Sequence, residues 1–144
     1  MTAEDFDFNK GNMCIRADHP FPPRKLGLSY FELTIEISEQ ESESEESEPK
    51  APTVTIGMCG EFCNQLYAHC GWKVWSVGYH GDNGMIYEEY GSRKHDTKRT
   101  YGAGHTVGCG VNYESEKYFF TLDGEIIGTH LLHLHSISHH RDGE

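Results

Sequence analysis

The sequence predicts an all-β fold, two antiparallel layers arranged as a sandwich or barrel, with no helix longer than a turn or two. Three observations carry this reading. Phe31, Leu33, Ile35 and Ile37 alternate with Glu32, Thr34 and Glu36, the period of a strand with one buried and one wet face. The stretch GWKVWSVGYHGDNG, residues 71–84, places Trp72, Val74, Ser76, Gly78 and His80 on one strand face and Lys73, Trp75, Val77 and Tyr79 on the other. Bulky apolar groups on both faces indicate a central strand between two layers. Turn signals recur, among them Asp82-Asn83-Gly84 and Asp123-Gly124, and 16 glycines with 12% aromatic residues suit short strands joined by tight turns.

The remaining elements follow the same logic. Cys14-Ile-Arg-Ala17 is a short strand candidate, and the prolines of His19-Pro-Phe-Pro-Pro23 make the next stretch extended. Val54, Ile56 and Met58 alternate inward along residues 53–58. Met85-Ile-Tyr87 returns antiparallel across the Asn83-Gly84 turn. Residues 88–104 are polar, and Lys94, Lys98 and Arg99 read as a basic patch on a solvated loop. In His105–Asn112, Val107, Cys109 and Val111 share one face, while Gly108 and Gly110 leave room on the other for a large neighbour such as a tryptophan. Residues 117–122 and 125–128 form a hairpin with a primed turn.

Length and charge bound the function. At 144 residues the chain predicts one domain, residues 1–144 with a core of about 12–138. The net charge is −11. Residues 38–50 hold six glutamates and one lysine, a net −5, and the rest carries −6. Residues 38–50 lack an apolar anchor and predict a disordered insertion between two strands. A surface this acidic repels phosphate backbones, which argues against nucleic acid as a partner. No apolar run approaches the roughly 18 residues of a membrane span. The opening residues, Met1-Thr-Ala-Glu-Asp5, carry no signal-peptide pattern. With five cysteines, an odd number, the expectation is reduced thiols in the cytoplasm or nucleus.

Several segments together resemble a known family. These are Ile15–Pro22, Ser29–Ile35, Gly71-Trp72, Ser76–Gly84, His105–Asn112 and Phe119–Gly124 with Gly128. In this order and spacing they are similar to a SPRY domain, of the subgroup typified by Ran-binding protein M. The resemblance implies a bent antiparallel β-sandwich acting as a non-catalytic protein-interaction module. It implies a protein or short-peptide partner held by rim loops, without a cofactor, and a place as substrate receptor or scaffold in ubiquitin-ligase-type assemblies. Carried over, the rim positions are Phe8, Asn9 and Lys10 in one loop and Phe62, Asn64, Leu66 and Tyr67 in another, with Tyr67 as the anchor. The same residues could instead plug the end of the sandwich. The resemblance also implies two strands after Gly128, with Leu134–Ser138 a candidate for the first, and the chain ends at Glu144 where the second would begin. His105 stands where the family usually has an acidic residue.

Two other function classes have weaker signals. Cys59, Cys63, His69 and Cys70 put four soft ligands within twelve residues, which suggests a small zinc-stabilised domain, but the spacing matches no standard C-x2-C pair. The sequence has neither a G-x-S-x-G elbow nor a Walker motif, so nothing points to an enzyme. Trp72, Trp75, Tyr79, Phe119 and Phe120 read as core rather than as ligand-stacking groups.

Overall fold

The computed structural model describes residues 14–22, 27–36, 53–60, 69–73 and 75–131. Within them, β1 (Leu28–Thr34), β6 (Thr106–Asn112), β7 (Lys117–Leu122) and β8 (Glu125–Leu131) form one antiparallel sheet in the order β1-β6-β7-β8. A second antiparallel sheet contains β2 (Thr55–Cys59), β3 (Ser76–His80), β4 (Met85–Glu88) and β5 (Arg93–Asp96) in sequential order. The described residues contain no helix. The all-β, two-sheet reading holds.

The core follows from period-two alternation. Ile56, Met58, Val77, Tyr79 and Ile86 of the second sheet are buried with Val107, Cys109, Val111, Tyr118, Phe120 and Leu122 of the first. Tyr79 meets Phe120 across the layers at 5.6 Å between ring centroids. Tyrosines in such a core need partners for their hydroxyls. Tyr101 Oη donates to the Tyr79 carbonyl at 2.6 Å and accepts from the Ile56 amide at 3.2 Å. Tyr79 Oη donates to the Arg99 carbonyl at 2.5 Å, and Tyr118 Oη donates to the Glu88 carboxylate. Burial pushes the Tyr101 hydroxyl pKa far up, so it stays a neutral donor.

Turn chemistry behaves as read. Asp123 and Gly124 both take positive φ, 49° and 82°, as a primed two-residue hairpin requires. At the β3–β4 turn Asn83 orients the backbone, its Oδ1 accepting from the Met85 amide at 2.9 Å.

Five local expectations are corrected. Residues 14–17 form no strand. The tryptophan-rich stretch is not one strand: β3 begins only at Ser76, because Gly71 and Trp75 take positive φ, 90° and 58°, and break the extended run. The polar Arg93–Asp96 segment is a strand, fully exposed and held by backbone pairing with β4; a strand without apolar side chains carries no periodic signal. Phe31 and Leu33 share the core-facing side of their sheet with Cys109 and Val107 but remain 38% and 37% exposed, since β1 is the outer strand among the described residues. The room left by Gly108 and Gly110 is taken by Tyr30 and Phe119, which stack at 5.8 Å and 6° on the outer face of the first sheet, and not by a tryptophan. The acidic residues 38–50 and Leu134–Ser138 lie outside the described residues.

Two substitutions test this packing. Gly78→Ala would set a methyl 2.2 Å from the Cys70 carbonyl oxygen and should cost roughly 3 kcal/mol in denaturant unfolding. Gly124→Ala meets nothing within 4 Å and only pays for its positive φ, so it should cost about 1 kcal/mol. Equal losses at the two positions would show that close packing at Gly78 is not what matters.

Candidate functional site

The outer face of the second sheet is covered by its own chain. Gly57 and Gly78 are cross-strand neighbours on β2 and β3. Any Cβ there would collide with Cys70, at 2.7 Å from its Cβ in both cases. The missing side chains let residues 69–73 lie flat against the sheet. His80 locks that contact. Its Nε2–H donates to the Cys70 carbonyl at 2.9 Å, which fixes the tautomer because a carbonyl only accepts. His80 is buried, and that burial holds its pKa below the ordinary histidine value, so it stays neutral. Ser76 Oγ completes the seat by accepting from the Gly71 amide and donating to the Lys73 carbonyl, both at 2.8 Å.

This seat lays an aromatic group on the outer face of the second sheet, next to the sandwich end that carries the β4–β5 turn. Trp72 packs against His69, His80 and Tyr87, with ring centroids 5.2, 5.7 and 6.3 Å away, yet stays 48% exposed. The β4–β5 turn stands beside it. Glu89, Tyr90 and Gly91 all take positive φ, 48°, 62° and 73°. Two consecutive non-glycine residues in this region cost about 1–2 kcal/mol each. The turn is held by the Gly91 amide donating to the Gly71 carbonyl at 2.9 Å, the Ser92 amide and hydroxyl both donating to the Glu89 carbonyl at 3.0 and 2.6 Å, and the exposed Arg93–Glu89 ion pair at 3.3 Å. The outcome is Tyr90 projected outward at 67% exposure, beside Gly91, where an added Cβ would lie 3.8 Å from the Trp72 ring. On the other sheet the same end carries the β6–β7 turn, ordered by Asn112 Oδ1, which accepts from the Glu114 and Ser115 amides at 3.0 Å. The Tyr118–Glu88 hydrogen bond ties the two sheets together there.

The expected rim residues Phe8, Asn9, Lys10, Phe62, Asn64, Leu66 and Tyr67 lie outside the described residues. The second loop lies between Gly60 and His69 in sequence and so leads directly into the segment 69–73. Trp72 and Tyr90 were missed as surface groups. Trp72 read as core by residue type, and Tyr90 sits in a polar stretch with no pattern. The zinc set does not assemble among the described residues, where no three His, Cys, Asp or Glu side chains converge as metal ligands. His69 Nδ1 is paired with Thr55 Oγ1 at 2.9 Å, while Cys63 lies outside the described residues.

The sequence profile of the SPRY domain matches residues 29–137, about three quarters of the chain. The chain belongs to the SPRY domain family. It is 31% identical over 114 residues to the Ran-binding protein M homolog of Arabidopsis thaliana, covering 79% of this chain and 22% of that protein. It is 30% identical over 114 residues to Ran-binding protein 9 of Homo sapiens, covering 79% and 14%. It is also 30% identical over 119 residues to the dual specificity protein kinase splA of Dictyostelium discoideum, covering 80% and 4%. This SPRY chain thus spans less than a quarter of each of these relatives. Among solved structures, a human SPRY domain superposes with a TM-score of 0.54 at 25% identity, covering 70% of this chain and 59% of that one.

The neutral state of His80 makes stability depend on pH. Its folded pKa is depressed below the ordinary 6.5 of the unfolded chain. Its contribution is therefore complete above that value and is lost as pH falls below it, because the unfolded chain takes up the proton first. The melting temperature should fall from pH 7 to pH 5, and His80→Gln, which keeps a donor for the Cys70 carbonyl, should flatten that fall. An identical pH profile in the variant would remove His80 as the cause.

Proposed function

We propose that this SPRY domain is a non-catalytic recognition module that holds a protein or short peptide at the sandwich end carrying Trp72 and Tyr90. The observation that carries this reading is the Tyr90 turn, where the backbone adopts an unfavourable conformation and leaves a large aromatic side chain in solvent. The positive φ values close the β4–β5 hairpin, and the Tyr90 ring that this leaves in solvent adds little packing to the fold. Rigid aromatics supply much of the energy of protein interfaces, because little side-chain entropy is lost on binding. The proposed site extends to Phe62, Asn64, Leu66 and Tyr67, which precede the Trp72 segment in sequence, and to Phe8, Asn9 and Lys10, which the family resemblance implies. The family and the Ran-binding protein relatives support a protein partner. The kinase relative aligns with only 4% of its length, the SPRY part, which lends no support to catalysis here.

The finer reading is a substrate receptor or scaffold of a ubiquitin-ligase-type assembly in the cytoplasm or nucleus. The unit is residues 1–144 as one domain, with a core of about 12–138 and an acidic insertion at 38–50. That insertion concentrates negative charge, so a basic partner would associate faster at low salt.

The test is selection of peptides displayed against the chain, then affinity measurement on the enriched peptide. Tyr90→Gly removes the aromatic while easing the positive φ, so it should weaken binding at least tenfold without lowering the melting temperature. Tyr67→Ala should do the same. Undiminished affinity in both variants would place recognition elsewhere, and a large fall in melting temperature for Tyr67→Ala would make it a core residue.

A further inference from the structure

Two lysines flank the exposed aromatic rings on the outer face of the second sheet. Lys94 on β5 stands directly opposite Tyr87 on β4, so the two side chains leave the sheet on the same face. That face is the outer one, since the Tyr87 ring meets those of Trp72 and His80 at 6.3 and 4.6 Å between centroids. Lys73 follows Trp72 in sequence, and its carbonyl accepts from the Ser76 hydroxyl at 2.8 Å, which fixes its backbone there. Both lysines are exposed. The aromatic rings run on into the β4–β5 turn: a Cβ added at Gly91 would lie 3.7 Å from the Tyr87 ring and 3.8 Å from the Trp72 ring.

The charges around this patch are matched, except for these two. Glu89 pairs with Arg93 at 3.3 Å, Asp96 with Lys98, and Glu125 with Arg99 at 3.3 Å. Lys73 and Lys94 enter no ion pair among the described residues. Asp82 lies in the β3–β4 turn, at the opposite end of β4 from Tyr90. In a chain with 23 acidic and 12 basic side chains other than histidine, two unmatched lysines beside exposed rings reverse the overall charge locally.

We propose that the ligand of the Trp72–Tyr90 patch is a peptide segment with one aspartate or glutamate next to an apolar residue, the apolar side chain resting on the Trp72 ring and the carboxylate pairing with Lys94 and Lys73. The inference rests on the recognition reading above and adds the chemistry of the ligand. Trp72 is held by three neighbouring rings yet stays 48% exposed, so an apolar contact on it orders little that is not already ordered. Lysine carries a compact charge on a flexible stem, which lets two of them converge on one carboxylate. An apolar group seated on the rings displaces water beside that pair and strengthens it.

One carboxylate fits better than an acidic run. The net charge of −11 repels a polyanion, and that repulsion acts over a screening length of about 8 Å at physiological salt. The lysines act only at contact. A partner that is basic overall but carries a single acidic anchor satisfies both the long-range field and the local patch.

The test uses random peptides displayed on phage and selected against the full chain, followed by affinity measurement on labelled synthetic copies of the enriched peptide. The enriched peptides should share one aspartate or glutamate beside an apolar residue. Lys94→Glu should weaken binding about tenfold and Lys73→Glu at least about threefold. Neither should lower the melting temperature, because both side chains are exposed. Replacing the peptide's acidic residue with lysine should weaken binding to the natural chain and restore it to Lys94→Glu, a charge swap that a merely structural role would not produce. A tenfold loss in Tyr90→Gly with unchanged affinity in both lysine variants would overturn the carboxylate inference and leave the recognition site standing. Undiminished affinity in both Tyr90→Gly and Tyr67→Ala would overturn the site and this inference together. Enriched peptides without a carboxylate, or a library that yields no binder, would also overturn it.

Discussion

The seat of Cys70 on the Gly57–Gly78 pair is the contact on which the functional end of this molecule depends. A β-sheet presents side chains on both faces, so backbone can approach it closely only where Cβ atoms are missing. Two adjacent strands each leave one out at the same register position, and the segment 69–73 descends into the gap. The buried His80 then donates to the Cys70 carbonyl, which gives a polar backbone group a partner away from water. Trp72 stands two residues along, so its place on the outer face of that sheet follows from the seat. Through the Gly91–Gly71 hydrogen bond, so does the Tyr90 turn.

The body of the sandwich is built to keep that end rigid. Its centre is aromatic, with Tyr79, Tyr101, Tyr118 and Phe120 buried between the sheets. Each tyrosine hydroxyl is tied to a backbone group or to Glu88, so the polar atoms cross-link neighbouring elements. Tyr101 reaches from the connection after β5 to the strands β2 and β3, and so pins a long polar loop that has almost no apolar surface of its own. A fixed scaffold with exposed aromatic groups at one end loses little entropy on binding, which is how an interaction domain gains affinity from a small surface.

Much of this protein was legible in its sequence. Alternation along residues 29–37, 53–58 and 105–112 marked strands, and Asp123-Gly124 marked a primed turn, because these signals rest on local sterics and on which face is wet. The family resemblance rested on the order of motifs, which again is local information. What the sequence left undecided was everything set by neighbours distant along the chain. It placed Trp72 in the core because large apolar groups usually go there, whereas Gly71 and Trp75 turn the chain so that Trp72 reaches the surface. It read residues 93–96 as loop, since a strand held only by backbone pairing shows no side-chain period. It foresaw a large neighbour over Gly108 and Gly110 but named a tryptophan, because only the sheet register brings Tyr30 and Phe119 there. The sequence alone determined the class of fold and the family, through period, turn chemistry and motif order. The tertiary structure alone decided which aromatics face solvent, because that depends on a backbone contact that no local pattern encodes.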